Sequence, residues 1–169
     1  MIIFITGLPG SGKSTVGKQV ADKLGWAFHE VDDALTESMK AHIKEGKLLT
    51  DEELDEWLLE RTVKIFTEHV NADKDLVVAG MSGYVKHKER ILEQFPALHY
   101  VNLVVPFEVL KNRIKDREHF AGTDILEQCW EGKADVYAHG VGVDAEQGVD
   151  KVVEDCAALV ASFNLMETQ

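Results

Sequence analysis

Apolar residues along the chain alternate between short continuous runs and longer stretches with helical spacing. The short runs predict buried β-strands, and the longer stretches predict amphipathic helices. The predicted strands cover residues 2–6, 26–31, 76–79, 100–105 and 141–144. The predicted helices cover residues 13–24, 33–45, 50–70, 85–94, 106–117 and 149–163. This alternation predicts a three-layer α/β/α domain, with a parallel sheet between two layers of helices.

The first strand is followed by residues 7–14, GLPGSGKS, which fit the phosphate-loop (Walker A) pattern G-x-x-x-x-G-K-[ST]. Glycines there let backbone amides face a phosphate, and the following helix adds its positive dipole end. Lys13 is predicted to reach the β- and γ-phosphates, and the Ser14 hydroxyl to ligate Mg²⁺. The predicted nucleotide contacts are Gly7, Gly10, Ser11, Gly12, Lys13, Ser14 and Thr15.

Three acidic residues, Glu30, Asp32 and Asp33, lie at the end of the second predicted strand. Ligands of open α/β sheets bind outside the carboxyl ends of the strands. One of these carboxylates could therefore accept the proton of an attacking hydroxyl, or hold Mg²⁺ through water. The alternative is that Asp32 or Asp33 only caps the next helix.

Two groups of basic residues have a functional and a structural interpretation. Arg113 and Arg117 are four positions apart, so they share a helix face and could clamp a transferring phosphoryl group. The alternative is a solvated basic stripe. Lys86, His87, Lys88 and Arg90 follow the third strand and could bind an anionic acceptor or form a solvated helix face. Gly122 and its polar neighbours suggest a segment that moves as a lid.

Composition narrows the class of partner. The chain has 169 residues, which suits one domain, and a formal net charge of −12. This acidity argues against nucleic acid or an anionic membrane as the main partner. The sequence contains no apolar run long enough to span a bilayer and no signal-peptide pattern. We therefore expect a cytoplasmic protein, monomeric or homodimeric, with a small-molecule substrate.

These motifs resemble the small phosphate-loop kinases of the gluconate kinase and shikimate kinase group, themselves similar to nucleoside monophosphate kinases. GLPGSGKSTVGKQVADKLGWAF matches the family opening, and EGKLLTDEELDEWL resembles the gluconate kinase stretch G-x-P-L-x-D-x-D-R-x-P-W-L. RIKDREHF followed by ILEQCWE resembles the family lid. VDAEQGVDKVV resembles the strand and helix start that line the adenine pocket.

The resemblance implies a P-loop NTPase fold with a five-stranded parallel sheet, ATP as donor and Mg²⁺ as cofactor. It implies a single kinase domain over residues 1–169, with a substrate-binding helical segment at 33–72 and a lid at 118–133. Asp32 matches the acid that faces the acceptor hydroxyl, and Glu30 matches the acid near the metal. Arg113 and Arg117 match the two lid arginines.

The expected activity is transfer of the γ-phosphoryl group of ATP to a hydroxyl of a sugar acid or similar metabolite. Lys13, Asp32 and Arg117 are the expected catalytic residues, and Ser14 and Glu30 the expected metal ligands. Asp32, Lys86 and Arg90 are the expected acceptor contacts. The sequence departs from gluconate kinases at Leu35 and Thr36, which replace His-Pro, and Arg90 is the residue nearest to the family's acceptor-binding arginine.

The sequence leaves two other functions open. The first is that of a nucleoside or nucleoside monophosphate kinase. A phosphate acceptor would need arginines in residues 36–61, where the sequence has only Arg61 and a surplus of acids. The other is an ATP-binding regulatory module without transfer, which the presence of Asp32 disfavours.

Overall fold

The computed structural model of the chain describes residues 1–115 and 122–167. In this part of the chain, five strands form one sheet in the order β2-β3-β1-β4-β5, and every neighbouring pair is parallel. The predicted five-stranded parallel sheet is therefore confirmed. The strands are β1 (Ile2–Gly7), β2 (Ala27–Glu30), β3 (Leu76–Ala79), β4 (Leu98–Val104) and β5 (Gly140–Asp144).

Helices connect the strands and cover both faces of the sheet. They are α1 (Lys13–Leu24), α2 (Glu37–Lys44), α3 (Asp51–Leu54), α4 (Val63–Asn71), α5 (Val85–Gln94), α6 (Phe107–Lys115), α7 (Thr123–Glu131), α8 (Lys133–Tyr137) and α9 (Val149–Glu167). A 3₁₀ turn, Val31–Ala34, follows β2, and a π-helical segment, Asp55–Thr62, joins α3 to α4.

The core has two layers because alternate residues of each strand point to opposite faces. In β1, Ile3 and Ile5 pack with apolar residues of α1, α6, α7 and α9. Ile2 and Phe4 pack on the other face with residues of α3, the π-helical segment, α4 and α5. There the rings of Phe4 and Phe66 meet edge to face, with centroids 6.1 Å apart. The sheet is thus buried between two helical layers, as the apolar pattern predicts.

The region between β2 and β3 differs from the predicted pair of helices. The helix predicted over residues 33–45 is instead the 3₁₀ turn followed by α2, whose first turn is capped by the Thr36 side chain. The helix predicted over 50–70 begins with the predicted capping box of Thr50 and Glu53. Its centre is π-helical, and the Thr62 hydroxyl donates to the Trp57 carbonyl oxygen at 2.8 Å.

The sheet order brings the loops of the site together. The carboxyl end of β1 lies between those of β3 and β4, and the end of β2 lies beside β3. The phosphate loop after β1 is therefore close to the acidic turn after β2. No helix in residues 1–115 and 122–167 is long and apolar enough to cross a membrane.

Candidate active site

The phosphate loop has the backbone shape that its glycines predict. Gly10 and Gly12 have φ angles of 82° and 93°, which residues with a Cβ atom rarely adopt. Gly12 also caps α1, so the unpaired amides of the first helical turn face the loop. Ser11 is buried, and its hydroxyl has no hydrogen-bond partner among the described residues. A phosphate oxygen at this loop would supply the missing partner.

Lys13 lies between the loop and the acidic turn. Its ammonium group donates to the Leu8 carbonyl oxygen at 3.0 Å. Burial lowers the pKa of Lys13, and the negative charges of Asp32 and Glu30 oppose that shift. The three predicted site residues, Lys13, Asp32 and Glu30, are therefore within electrostatic reach of one another.

Glu30 and Ser14, the two predicted metal ligands, lie together. Burial is the main cause that raises the pKa of Glu30 to about 7, and a hydrogen bond with the Ser14 side chain opposes it. A hydroxyl and a carboxylate at one point are hard oxygen donors, which suit a Mg²⁺ ion held by one or two protein groups. The residues present therefore fit the predicted metal.

Asp32 is exposed on the 3₁₀ turn, and two side chains of the π-helical segment hold that turn. The Trp57 indole N–H donates to the Val31 carbonyl oxygen at 2.8 Å. The Arg61 guanidinium donates to the Ala34 carbonyl oxygen at 2.6 Å. Capping of α2 is done by Thr36 and not by Asp32 or Asp33, so the capping interpretation of these acids is wrong.

A cavity of about 340 Å³, here called the acceptor cavity, opens beside Lys13 and Asp32. It lies between the phosphate loop, the helical region 43–57, the turn after β3, and helices α7 and α8. Pro9, Trp57, Tyr84 and Cys129 are among the residues that line it. Asp33 and Glu30 are not, which distinguishes Asp32 among the three acids.

Helix α7, within the predicted lid, covers one side of this cavity. The Gln128 side-chain amide donates to the Gly46 carbonyl oxygen at 3.0 Å, which joins α7 to the loop after α2. The Trp130 and Phe107 rings are 5.1 Å apart, which joins α7 to α6. The assignment of residues 118–133 as a mobile lid stays a prediction.

The two predicted lid arginines differ in what the structure describes. Arg113 donates to the Ala145 carbonyl oxygen at 3.0 Å, beside the carboxyl end of β5. This places it near the segment that the resemblance assigns to the adenine pocket, and Arg113 is not among the residues that line the acceptor cavity. Arg117 lies outside the described residues, so its proposed catalytic role stays a prediction.

The basic cluster after β3 lies outside the lining of the acceptor cavity. Lys86 pairs with Asp51 at 2.6 Å, and Arg90 pairs with Asp55 at 3.5 Å. Lys88 is fully buried and donates to the backbone carbonyl oxygens of Val136 and Ala138. Acceptor binding by Lys86 and Arg90 stays a prediction, and it would require both to exchange their present partners.

Sequence reasoning missed several residues of this site. Trp57, Tyr84 and Cys129 line the acceptor cavity although they are far apart in the chain. Ser82 shares a buried hydrogen bond with Thr6, 3.0 Å between hydroxyl oxygens, which fixes the turn after β3 against β1. The Trp-Leu pair within the gluconate-kinase-like stretch is the one sequence signal that could have indicated Trp57.

Fold and site together define a phosphate-loop nucleotide-binding protein. Residues 3–129 match the family described as AAA domain, and the chain belongs to that family. It is similar to a probable gluconokinase of Xenopus tropicalis, 45% identical over 60 residues, which are 36% of this chain and 32% of that relative. The chain thus spans about a third of the length of this relative.

Other comparisons cover nearly the whole chain. Shikimate kinase 2 of Yersinia enterocolitica is 27% identical over 172 residues, covering 94% of this chain and 95% of that protein. The crystal structure of a gluconokinase from Sinorhizobium meliloti 1021 superposes with a TM-score of 0.81 at 26% identity, covering 99% of this chain and 96% of the other. The resemblance to the gluconate kinase and shikimate kinase group is confirmed.

Proposed function

We propose that the protein is a kinase that transfers the γ-phosphoryl group of ATP to a hydroxyl of a small metabolite of the sugar-acid or shikimate kind. The observation that carries this proposal is that Lys13 and Asp32 line one cavity of small-molecule size. One residue is a phosphate-binding cation, and the other is a carboxylate that can accept a proton. The names of the relatives support the same class of reaction.

The donor half of the reaction uses the phosphate loop. Backbone amides of the loop and of the first turn of α1 bind the phosphates, and the buried Ser11 hydroxyl adds a donor. Lys13 leaves the Leu8 carbonyl oxygen and moves to the β- and γ-phosphates. Its charge then stabilises the negative charge that develops during transfer.

Ser14 and Glu30 would hold Mg²⁺ at the same edge of the sheet. The ion supplies charge neutralisation on the phosphate oxygens when it is bound. Glu30 must be ionised for this role, and a cation bound beside it would oppose the effect of burial and favour the ionised form. Arg113 stays on the nucleotide-base side of the site.

Asp32 accepts the proton in the acceptor half of the reaction. The acceptor oxygen attacks the γ-phosphorus, the bond from that phosphorus to the β,γ-bridging oxygen breaks, and the hydroxyl proton passes to the Asp32 carboxylate. The negative charge that leaves with the ADP oxygen is balanced by Lys13. The 3₁₀ turn keeps Asp32 in place through its contacts with Trp57 and Arg61.

Substitution of Lys13 tests the proposal. Lys13→Ala should lower turnover about 10²- to 10³-fold, because a preorganised donor of this kind contributes about 3 to 4 kcal/mol to the transition state. Lys18→Ala is a matched control, since Lys18 is exposed on the same helix. ADP release is measured for both variants, with circular dichroism to verify the fold. Near-normal turnover in a folded Lys13→Ala protein would contradict the proposal.

The alternative of a nucleoside monophosphate kinase has less support. Such an acceptor needs cationic partners in the helical segment, and Arg61 is engaged with the Ala34 carbonyl oxygen. A regulatory module without transfer would bind ATP, and any nucleotide turnover would occur without an acceptor. The same assay separates that outcome from kinase activity.

A further inference from the structure

The wall of the acceptor cavity is mainly hydrocarbon. Its apolar lining includes Ile43, Leu48, Leu49, Leu54, Met81 and Ile125. These residues come from the loop and helices between β2 and β3, from the turn after β3 and from α7. Separate parts of the chain thus converge to build one apolar surface beside Lys13 and Asp32.

Among the described residues, the polar side chains that line the cavity are Lys13, Asp32, Lys47, Tyr84, Gln128 and Glu131, and several of them are occupied. Gln128 donates to the Gly46 and Asp124 carbonyl oxygens. Lys47 pairs with Glu45 at 2.7 Å. Lys13 and Asp32 are reserved for the phosphoryl group and the reacting hydroxyl. In the described part of the chain, this leaves Tyr84 and Glu131 to serve the several other hydroxyls of an open-chain sugar acid.

The arginines that the structure describes are also engaged elsewhere. Arg61 binds the Ala34 carbonyl oxygen, Arg90 pairs with Asp55, and Arg113 binds the Ala145 carbonyl oxygen. None of these three lines the cavity. Within residues 1–115 and 122–167, a carboxylate deep in the cavity thus finds no arginine as the bidentate partner that such groups usually have in proteins.

An open-chain sugar acid fits such a wall poorly. It carries a hydroxyl on nearly every carbon, and each one buried without a partner loses its hydrogen bonds to water. A ring or branched hydrocarbon body would instead gain from leaving water. The cavity volume, about 340 Å³, lies at the small end of the usual range for small-molecule sites.

We infer that the acceptor is an alcohol with a ring or branched hydrocarbon body, and not an open-chain polyol acid. Its hydroxyl lies at Lys13 and Asp32, and its body packs against Leu54, Trp57 and Ile125. A single anionic substituent would lie at the rim, where the exposed Lys47 would exchange its Glu45 partner for it. This inference rests on the proposed kinase function and specifies its substrate class.

An acceptor panel tests the inference directly. Gluconate, shikimate, benzyl alcohol and 4-(hydroxymethyl)benzoate are compared by ADP release, with phosphorylated product identified by mass spectrometry. We expect kcat/KM for at least one ring alcohol to exceed that for gluconate by about tenfold or more. Equal or better use of gluconate would overturn the inference and leave the kinase proposal standing. ATP binding without phosphorylation of any alcohol would overturn both.

A substitution in the lining of the acceptor cavity tests whether the expected preference for ring alcohols arises there. Leu54→Gln should lower kcat/KM for the preferred ring alcohol about tenfold and lower that for gluconate less, because it adds a polar group to the hydrocarbon surface. Val70→Gln is the control, since Val70 is an exposed apolar residue on α4 outside the cavity. Equal loss for both acceptors in a folded Leu54→Gln protein would contradict the inference.

Fluorescence gives a readout that does not depend on turnover. Trp57 lines the cavity and is 4% exposed, so it becomes the sole tryptophan reporter after Trp26→Phe and Trp130→Phe substitution. Benzyl alcohol should change Trp57 emission with saturation, and gluconate should not. A response to gluconate alone would overturn the inference even if the Leu54 variant failed to fold.

Discussion

The indole N–H of Trp57 donates to the backbone carbonyl oxygen of Val31, 2.8 Å away and one residue before Asp32. Trp57 belongs to the π-helical segment, and Val31 begins the 3₁₀ turn. Both kinds of helix are uncommon in long runs, and π-helical turns occur frequently at functional sites. Here one irregular element fixes the other, and Asp32 lies in the 3₁₀ turn that is fixed in this way.

Replacement of Trp57 by phenylalanine tests this positioning. Trp57→Phe keeps an aromatic ring but leaves the buried Val31 carbonyl oxygen without its donor, which should destabilise the protein by about 1 to 3 kcal/mol. We expect kcat to fall more than ATP affinity, because the phosphate loop is unchanged. Trp26→Phe is the matched control away from the acceptor cavity. Equal loss of kcat in both variants would contradict a positioning role for Trp57.

Asp32→Asn tests whether the Asp32 carboxylate acts as a proton acceptor or only fills its place in the turn. Asparagine keeps the size of the side chain but does not take the hydroxyl proton, so phosphoryl transfer should fall about 10²- to 10⁴-fold. ATP binding, measured by calorimetry, should remain close to that of the unsubstituted protein. If transfer persists, Glu30→Gln and Asp33→Asn show which carboxylate is the base.

Glu30→Gln tests whether the Glu30 carboxylate helps to bind Mg²⁺. The substitution removes the negative charge beside Ser14, so about ten- to a hundredfold more Mg²⁺ should be needed for half-maximal activity. Activity at saturating Mg²⁺ should recover in part, because Ser14 and the nucleotide phosphates remain. Glu37→Gln is a control, since Glu37 is an exposed acid on α2. An unchanged Mg²⁺ requirement would show that Glu30 does not serve the metal.

Lys88 predicts a pH dependence of stability. Burial lowers the pKa of Lys88 to about 8, and the charge of Asp135 opposes the shift. Between that value and the ordinary 10.5, the unfolded chain binds more protons than the folded protein. Stability should therefore rise with pH through this window, by up to about 1.4 kcal/mol per pH unit.

The Lys88→Met variant is the control for this pH dependence of stability, because methionine keeps a long side chain but does not titrate. Denaturant midpoints are measured for both proteins from pH 7.5 to 10. The difference between them should change with pH in favour of the protein that retains Lys88. Parallel curves would contradict the buried, titrating lysine.

The sequence predicted the sheet and the phosphate loop because both depend on local pattern. Each strand is a short apolar run, and the loop shape depends on glycines at Gly10 and Gly12, where φ is positive. Helices α1 and α5 begin and end at the predicted residues for the same reason. The rule that carboxyl ends of parallel strands share an edge predicts the acidic turn near the phosphate loop, and the family resemblance assigns Glu30 to the metal beside Ser14.

The rest depended on tertiary contacts. Lys86 and Lys88 have similar sequence surroundings, yet one pairs with a surface acid and the other is buried under the end of α8. Only the packing of α5 against α3 and α8 distinguishes them. The π-helical turn also has no local signature, because it arises where Trp57 and Arg61 must both reach the 3₁₀ turn.

Ion pairs that link α5 to the start of the helical segment have a consequence for ionic strength. The pairs Lys86–Asp51 and Arg90–Asp55 join side chains that are about half exposed. A third contact joins His87 to Asp55. Dissolved salt screens such pairs over about 8 Å at physiological concentration, and each contributes at most about 1 kcal/mol. The segment that forms the acceptor side is thus attached partly by salt-sensitive contacts, whereas the phosphate loop is held by backbone geometry. Rising salt should loosen the attachment of this segment to α5 before it changes the shape of the phosphate loop.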